Sequence, residues 1–131
     1  MDSIHIKPTT KTPEVKLNHE TGQLEIIGRS IPENSYQFYE PILNWIDSYA
    51  NAPKDNTTLA FKLDYFNTSS SMYILGILKK MEKLSLSGHT VEVKWHYDED
   101  DEDMHQTGVD LKQIVKIDIK MIEEASSENE E

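Results

Sequence analysis

Cysteine is absent from the 131 residues, and its absence excludes a disulfide framework, a thiolate zinc site and a cysteine nucleophile together. The fold has to rest on packing alone. Basic residues are scarce: 13 Lys and Arg stand against 24 Asp and Glu, a formal charge of −11, which argues against nucleic-acid binding through a basic face. Long apolar runs are missing as well. No stretch approaches the ~18 apolar residues of a membrane span, and the uncharged stretch 67–78 opens with polar residues. The N-terminus, Met1-Asp2-Ser3-Ile4-His5-Ile6-Lys7, has no continuous apolar segment of the signal-peptide kind, so a cytoplasmic protein with no membrane partner is expected. Hydrophobic residues at 37% and aromatics at 8% are low but sufficient for one core, and the length suits one domain.

The acidic excess is local. Asp98 to Asp103 is an unbroken run of six acidic residues, and the tail from Glu123 to Glu131 holds five more with no Lys or Arg. Without those eleven carboxylates the chain balances 13 acidic against 13 basic residues. The body therefore reads as an ordinary globular surface carrying a solvated acidic loop at 98–103 and an acidic tail. The tail has too little apolar content to fold and is expected to be disordered.

Residues 1–13, with two prolines and a Thr-Thr-Lys-Thr stretch, read as an extended arm. From Glu14 to Leu17 and from Gln23 to Ile27 apolar and polar residues alternate around the turn-forming Asn18-His19-Glu20-Thr21-Gly22, a hairpin. Asn34, with Gln37 three residues on, has the spacing of a capping box. Phe38, Tyr39, Ile42, Leu43, Trp45, Ile46 and Tyr49 then recur at helical spacing, with Pro41 expected to kink that helix or mark its first turn. Leu59, Phe61, Leu63 and Tyr65 share one face of a strand that ends at Asn67, and Ala60, Lys62, Asp64 and Phe66 share the other. Ile74, Ile77, Leu78, Met81 and Leu84 form the stripe of a second helix, which Gly88 is placed to end. Val91, Val93, Trp95 and Tyr97 mark a strand, 104–113 a short helix, and Val115, Ile117, Ile119 and Met121 a last strand. This order predicts a single α/β domain over 14–122, a mixed β-sheet with helices packed on it, flanked by the arm and by the tail 123–131. The loops after Phe66 and Tyr97 should open on the same sheet edge, where open α/β sheets place their sites.

Tyr65-Phe66-Asn67-Thr68-Ser69-Ser70-Ser71 is the segment richest in chemistry. Four hydroxyls follow a strand and open a helix, where backbone N–H groups lack partners and the helix dipole favours negative charge. Residue types alone leave three uses open: Thr68 or Ser69 as a helix N-cap, a bound phosphate, or a phosphate carried covalently. No Gly-rich loop with Lys is present, which excludes a nucleotide-binding P-loop. His96 and His105 flank the acidic run, but no calcium-loop spacing accompanies them, so no metal site is expected. Ser, His and carboxylate all occur without a Gly-x-Ser-x-Gly context, so no catalytic residue is assigned; a constitutive scaffold and a small Ser-dependent hydrolase are the alternatives to a modified binding module.

Thr12-Pro13-Glu14-Val15, Gly28-Arg29-Ser30 with Pro32-Glu33-Asn34, the block from Phe61 to Ser71, and Trp95-His96-Tyr97 followed by Asp101-Glu102-Asp103-Met104 together resemble the SiaC family of bacterial regulatory phosphoproteins, from about Ile4 to Ile122. The resemblance implies a STAS-like fold similar to the anti-sigma-factor antagonists of the SpoIIAA type. It implies a switch protein, not an enzyme, with no cofactor. Three partners are implied: a histidine-kinase-like protein kinase, a PP2C-type phosphatase that reverses its action, and a target, a diguanylate cyclase, that the unphosphorylated form binds and activates. The family's phosphoacceptor threonine carries over onto Thr68, and Asn67, Thr68, Ser69, Ser70 and Ser71 onto the partner-binding turn.

Overall fold

The computed structural model describes residues 1–126. Its elements in chain order are β1 (Ile4–Ile6), β2 (Glu14–Asn18), β3 (Gln23–Ser30), α1 (Ser35–Tyr49), β4 (Asn56–Phe66), α2 (Thr68–Leu86), β5 (Thr90–Asp98), α3 (Glu102–Ile114) and β6 (Ile119–Glu124). The six strands lie in the sheet in the order in which they occur in the chain. β1, β2 and β3 pair antiparallel, whereas β3 to β6 are parallel and joined by the three helices.

Register explains why one face of the sheet is covered and the other bare. Ile4, Leu17, Leu24, Leu59, Val93 and Ile119 are successive partners across all six strands, and Ile6, Val15, Ile26, Phe61, Trp95 and Met121 form a second such row. These rows, with the apolar stripes of α1 and α2, make the core. Between them runs His5, Lys16, Glu25, Ala60, Lys94 and Lys120, a nearly all-polar row on the opposite face. Ion pairs lace that face: Lys62 to Glu25 at 3.1 Å, and Lys94 and Lys120 to Glu92 at 3.5 and 3.7 Å. Right-handed crossovers that always step to the next strand place every helix on the same side. The result is a two-layer single α/β domain.

Several local expectations are corrected. The arm 1–13 contributes the edge strand β1, and just before it the Asp2 carbonyl accepts from the Trp45 indole N–H at 2.7 Å. The expected Asn34 cap is present, accepting from the Gln37 amide at 3.0 Å, so α1 begins at Ser35 and Pro41 lies in its interior and not in its first turn. The register of β3 against β4 shifts between Gly28 and Arg29, leaving Asp64 as an extra residue. Beyond this bulge the alternation reverses. Tyr65 leaves the core face and pairs with Arg29, whose guanidinium carbon sits 5.9 Å from its ring centroid, while Phe66 turns inward to meet Trp95 edge-on at 6.2 Å.

The acidic run faces water as expected, five of its six residues being exposed, but only 99–101 are loop. Asp98 ends β5, Asp101 caps α3 by accepting from the Met104 amide at 2.9 Å, and Glu102 and Asp103 occupy its first turn, where the helix dipole favours them. The helix expected over 104–113 thus starts two residues earlier. The last strand starts later than expected, at Ile119, because Val115 and Ile117 are buried in the connection from α3 and not in the sheet. It continues to Glu124, paired with Asp98, so the tail expected from Glu123 begins after the strand. The disorder expected of 127–131 lies outside the described residues. Among the described residues no helix is long and apolar enough to cross a membrane.

Candidate functional site

The parallel strands β4 and β5 end on one edge of the sheet, and α2 starts there. Asn67, not Thr68 or Ser69, is the N-cap: its extended backbone (φ −87°, ψ 173°) places Oδ1 to accept from the Ser70 amide at 2.9 Å. Its own amide donates to the Ser30 carbonyl at 3.0 Å, which pins the start of α2 to the end of β3.

With the cap supplied by Asn67, the four hydroxyls are free for other uses, and three of them are engaged, each differently. Ser70 is fully buried, so it lies beneath the surface of the turn expected to bind a partner. Its Oγ donates to the Ser30 carbonyl at 3.0 Å, and that commitment orients the network: Ser30 Oγ donates to Ser70 Oγ at 2.8 Å and the Tyr39 hydroxyl donates to Ser30 Oγ at 2.5 Å. Ser69 Oγ donates to Asn67 Oδ1 at 3.1 Å, which leaves it to accept from Ser35 Oγ at 2.6 Å, a direct bond between the first residue of α1 and the second of α2. Ser71 Oγ donates back to the Thr68 carbonyl at 2.5 Å. The Thr68 hydroxyl alone is exposed with no partner among the described residues.

The surroundings of Thr68 are apolar on one side. Met72, one helical turn on, is 73% exposed, and Tyr36, next to the Ser35 that bonds Ser69, is 62% exposed. A hydrogen bond to the Glu40 carboxylate raises the pKa of the Tyr36 phenol above its usual value. Tyr73, the residue after Met72, stacks on Tyr39, with centroids 5.2 Å apart and planes within 5°. On the other face of the sheet the same edge is acidic: Asp64, Asp98, Asp101 and Glu124 line a groove of about 370 Å³ together with Lys62 and His96.

The histidines singled out by sequence do not converge. His96 Nδ1 bonds Glu124 at 2.5 Å, and His105 packs on Tyr97 at 4.8 Å. Among the described residues no group of three or more His, Asp or Glu side chains is placed to hold a metal ion.

Burial pushes the Tyr39 phenol up, with the serine hydroxyls opposing it. A group whose pKa is raised by folding contributes stability below its unfolded pKa and loses it as pH rises. Stability is therefore expected to fall above pH ~10, where unfolded phenols ionise and the buried Tyr39 resists ionisation. Tyr39→Phe should flatten that slope and cost about 1 kcal/mol at neutral pH, because Ser30 Oγ loses its donor. Urea unfolding at several pH values checks both; an unchanged alkaline slope would show that Tyr39 is not the group responsible.

What sequence reasoning missed is the second half of the site, the Ser30, Ser35 and Tyr39 hydroxyls from β3 and α1. Only the Gly28-Arg29-Ser30 motif pointed toward them.

With this geometry in view, the comparisons with known proteins are specific. A family model, SiaC family regulatory phosphoprotein, matches residues 6–124. An uncharacterized protein of Pseudomonas aeruginosa is 33% identical over 98 residues, covering 75% of this chain and 78% of its own. Apo-SiaC of Pseudomonas aeruginosa superimposes with a TM-score of 0.86 at 26% identity, over 93% of this chain and 99% of that one. SiaC as it occurs in the crystal structure of diguanylate cyclase SiaD in complex with its activator SiaC, also from Pseudomonas aeruginosa, gives 0.88 at 26% identity, over 92% and 99%. The chain belongs to the SiaC family of regulatory phosphoproteins.

Proposed function

We propose that this protein is a phosphorylation-controlled switch of a bacterial partner-switching system, acting in the cytoplasm and carrying no catalysis of its own. In the unphosphorylated state it binds and activates a diguanylate cyclase, and so promotes cyclic-di-GMP signalling. A histidine-kinase-like kinase places a phosphate on Thr68, the target is released, and a PP2C-type phosphatase restores the binding form. The two-layer sheet with helices on one face fits the STAS-like fold of the SpoIIAA antagonists, which work by the same logic.

One observation carries the assignment of Thr68: at a helix start already capped by Asn67, its hydroxyl is exposed and has no partner among the described residues. Ser70 is buried, and the hydroxyls of Ser69 and Ser71 are both engaged. A phosphate at Thr68 would stand at the N-terminus of α2, where helix amides and dipole accept an anion, so modification is compatible with the fold. SiaC of Pseudomonas aeruginosa, the activator in the SiaD complex, supports a diguanylate cyclase as target.

The test is incubation with the kinase and ATP followed by intact-mass analysis. The wild-type chain should gain one phosphate and Thr68→Ala none, with the melting temperature of that variant close to wild type because no cap is lost. A stoichiometric phosphate on Thr68→Ala would refute the assignment.

A further inference from the structure

Of the five glycines, Gly76 alone has no reason inside the fold. Gly22, Gly28 and Gly88 have positive φ, and a Cβ at Gly108 would strike the Trp95 ring at 2.5 Å. Gly76 lies in the middle of α2, and a Cβ there meets nothing within 4 Å. Glycine in a helix interior is markedly worse than alanine, so the fold gives up stability at a position where it has room for a side chain. A backbone left bare on an outward helix face suits the close approach of another backbone.

Gly76 continues a line that starts at the proposed acceptor. Thr68, Met72 and Gly76 are spaced i, i+4, i+8, and Lys79 and Lys83 extend the same stripe at the spacing of successive turns. Both lysines are exposed and without a carboxylate partner among the described residues, whereas Lys80, facing α1, is bonded to Asp47 at 2.6 Å. Lys83 in the last turn also meets the helix dipole, but Lys79 has no such internal reason. In a chain of net charge −11, two neighbouring unpaired cations on one helix face complement an acidic partner.

We propose that this stripe of α2 is the seat of a helix of the target cyclase, with Gly76 as the point of closest backbone approach. The seated helix carries an apolar side chain against Met72 and acidic side chains over Lys79 and Lys83. The proposal rests on the reading of the protein as a cyclase activator switched at Thr68, and it explains the switch's reach: the phosphate arrives at the head of the stripe, one turn from Met72.

The experiment uses Gly76→Ala in the full chain, with the diguanylate cyclases of the source organism, and SiaD, as probes. The variant is expected to melt about 3–5 °C higher, because alanine is the better helix former. It should bind the cyclase roughly tenfold more weakly, because the added methyl forces the two helices apart. Lys79→Glu with Lys83→Glu should weaken binding further and reverse its salt dependence. A higher melting temperature with unchanged affinity overturns the seat at Gly76 while leaving the switch at Thr68 standing. A lower melting temperature would show that Gly76 serves the fold, and would overturn it too. If the wild-type chain binds none of the cyclases, both readings fall.

Discussion

Phosphorylated at Thr68, the protein is expected to keep its circular dichroism spectrum and melting temperature and to lose its target. The added charge of about −1.5 to −2 stands at a helix start that favours it, and the Thr68 hydroxyl it replaces holds nothing together. The cost therefore falls on the complex. A partner fitted to the exposed apolar side chains of Tyr36 and Met72 would have to bury an unpaired anion. Thr68→Glu should cost about 2 kcal/mol of binding, a roughly thirtyfold weakening. The phosphothreonine should cost more, since a carboxylate carries one charge and the phosphate nearly two. Titration of the purified cyclase with each form measures this. Equal affinity of the modified and unmodified proteins, or unfolding on modification, would overturn the exclusion mechanism.

The other large effect concerns α3. Gly108 sits against Trp95 so closely that a Cβ would lie 2.5 Å from Trp95 Cδ1, 2.8 Å from its Nε1 and 2.6 Å from Met121 Cε. The Met121 tip can move aside. Trp95 cannot, being fully buried, packed on Phe61 and Phe66, and bonded through Nε1 to the Met104 carbonyl at 3.0 Å. Gly108→Ala should therefore push α3 off the sheet and cost about 1–3 kcal/mol. Trp95→Ala, which opens a cavity in the second core row and removes the indole donor from the Met104 carbonyl, should cost about 3–5 kcal/mol. Urea midpoints at unchanged slope report these losses, and a Gly108→Ala protein as stable as wild type would show that α3 is not held by this contact. The comparison with Gly76→Ala is direct: one alanine in a helix is predicted to destabilise and the other to stabilise, and only the neighbours of the added methyl differ.

Periodicity alone made α1, α2, the hairpin and the central strands legible, because their apolar stripes span several turns or alternations. The start of α3 was concealed by its own charge: six acidic residues in a row look like a solvated segment, although Asp101 capping Met104 and two acidic residues in the first turn have the chemistry of a helix start. β1 has three residues and no pattern of its own. The reversal at Tyr65 and Phe66 was beyond a single-strand reading, since a bulge belongs to a pair of strands and not to either one. The site divides the same way. That hydroxyls cluster at 68–71 is visible in the sequence. Which of them remains free is decided by Ser30 and Ser35, 40 and 34 residues upstream of their partners.

The sheet order carries a consequence for how the molecule comes into being. Because every strand from β3 to β6 lies beside the strand made just before it, each crossover unit finds its docking edge already in place as the chain leaves the ribosome. No strand waits for a neighbour encoded further on, as the central strands of doubly wound sheets must. The contacts around the start of α2, from Tyr39 through Ser30 to Ser70, are complete before β5 is synthesised. Assembly can proceed from the N-terminus as a growing edge, with the turn at 67–71 finished while the acidic C-terminal third of the protein is still unmade.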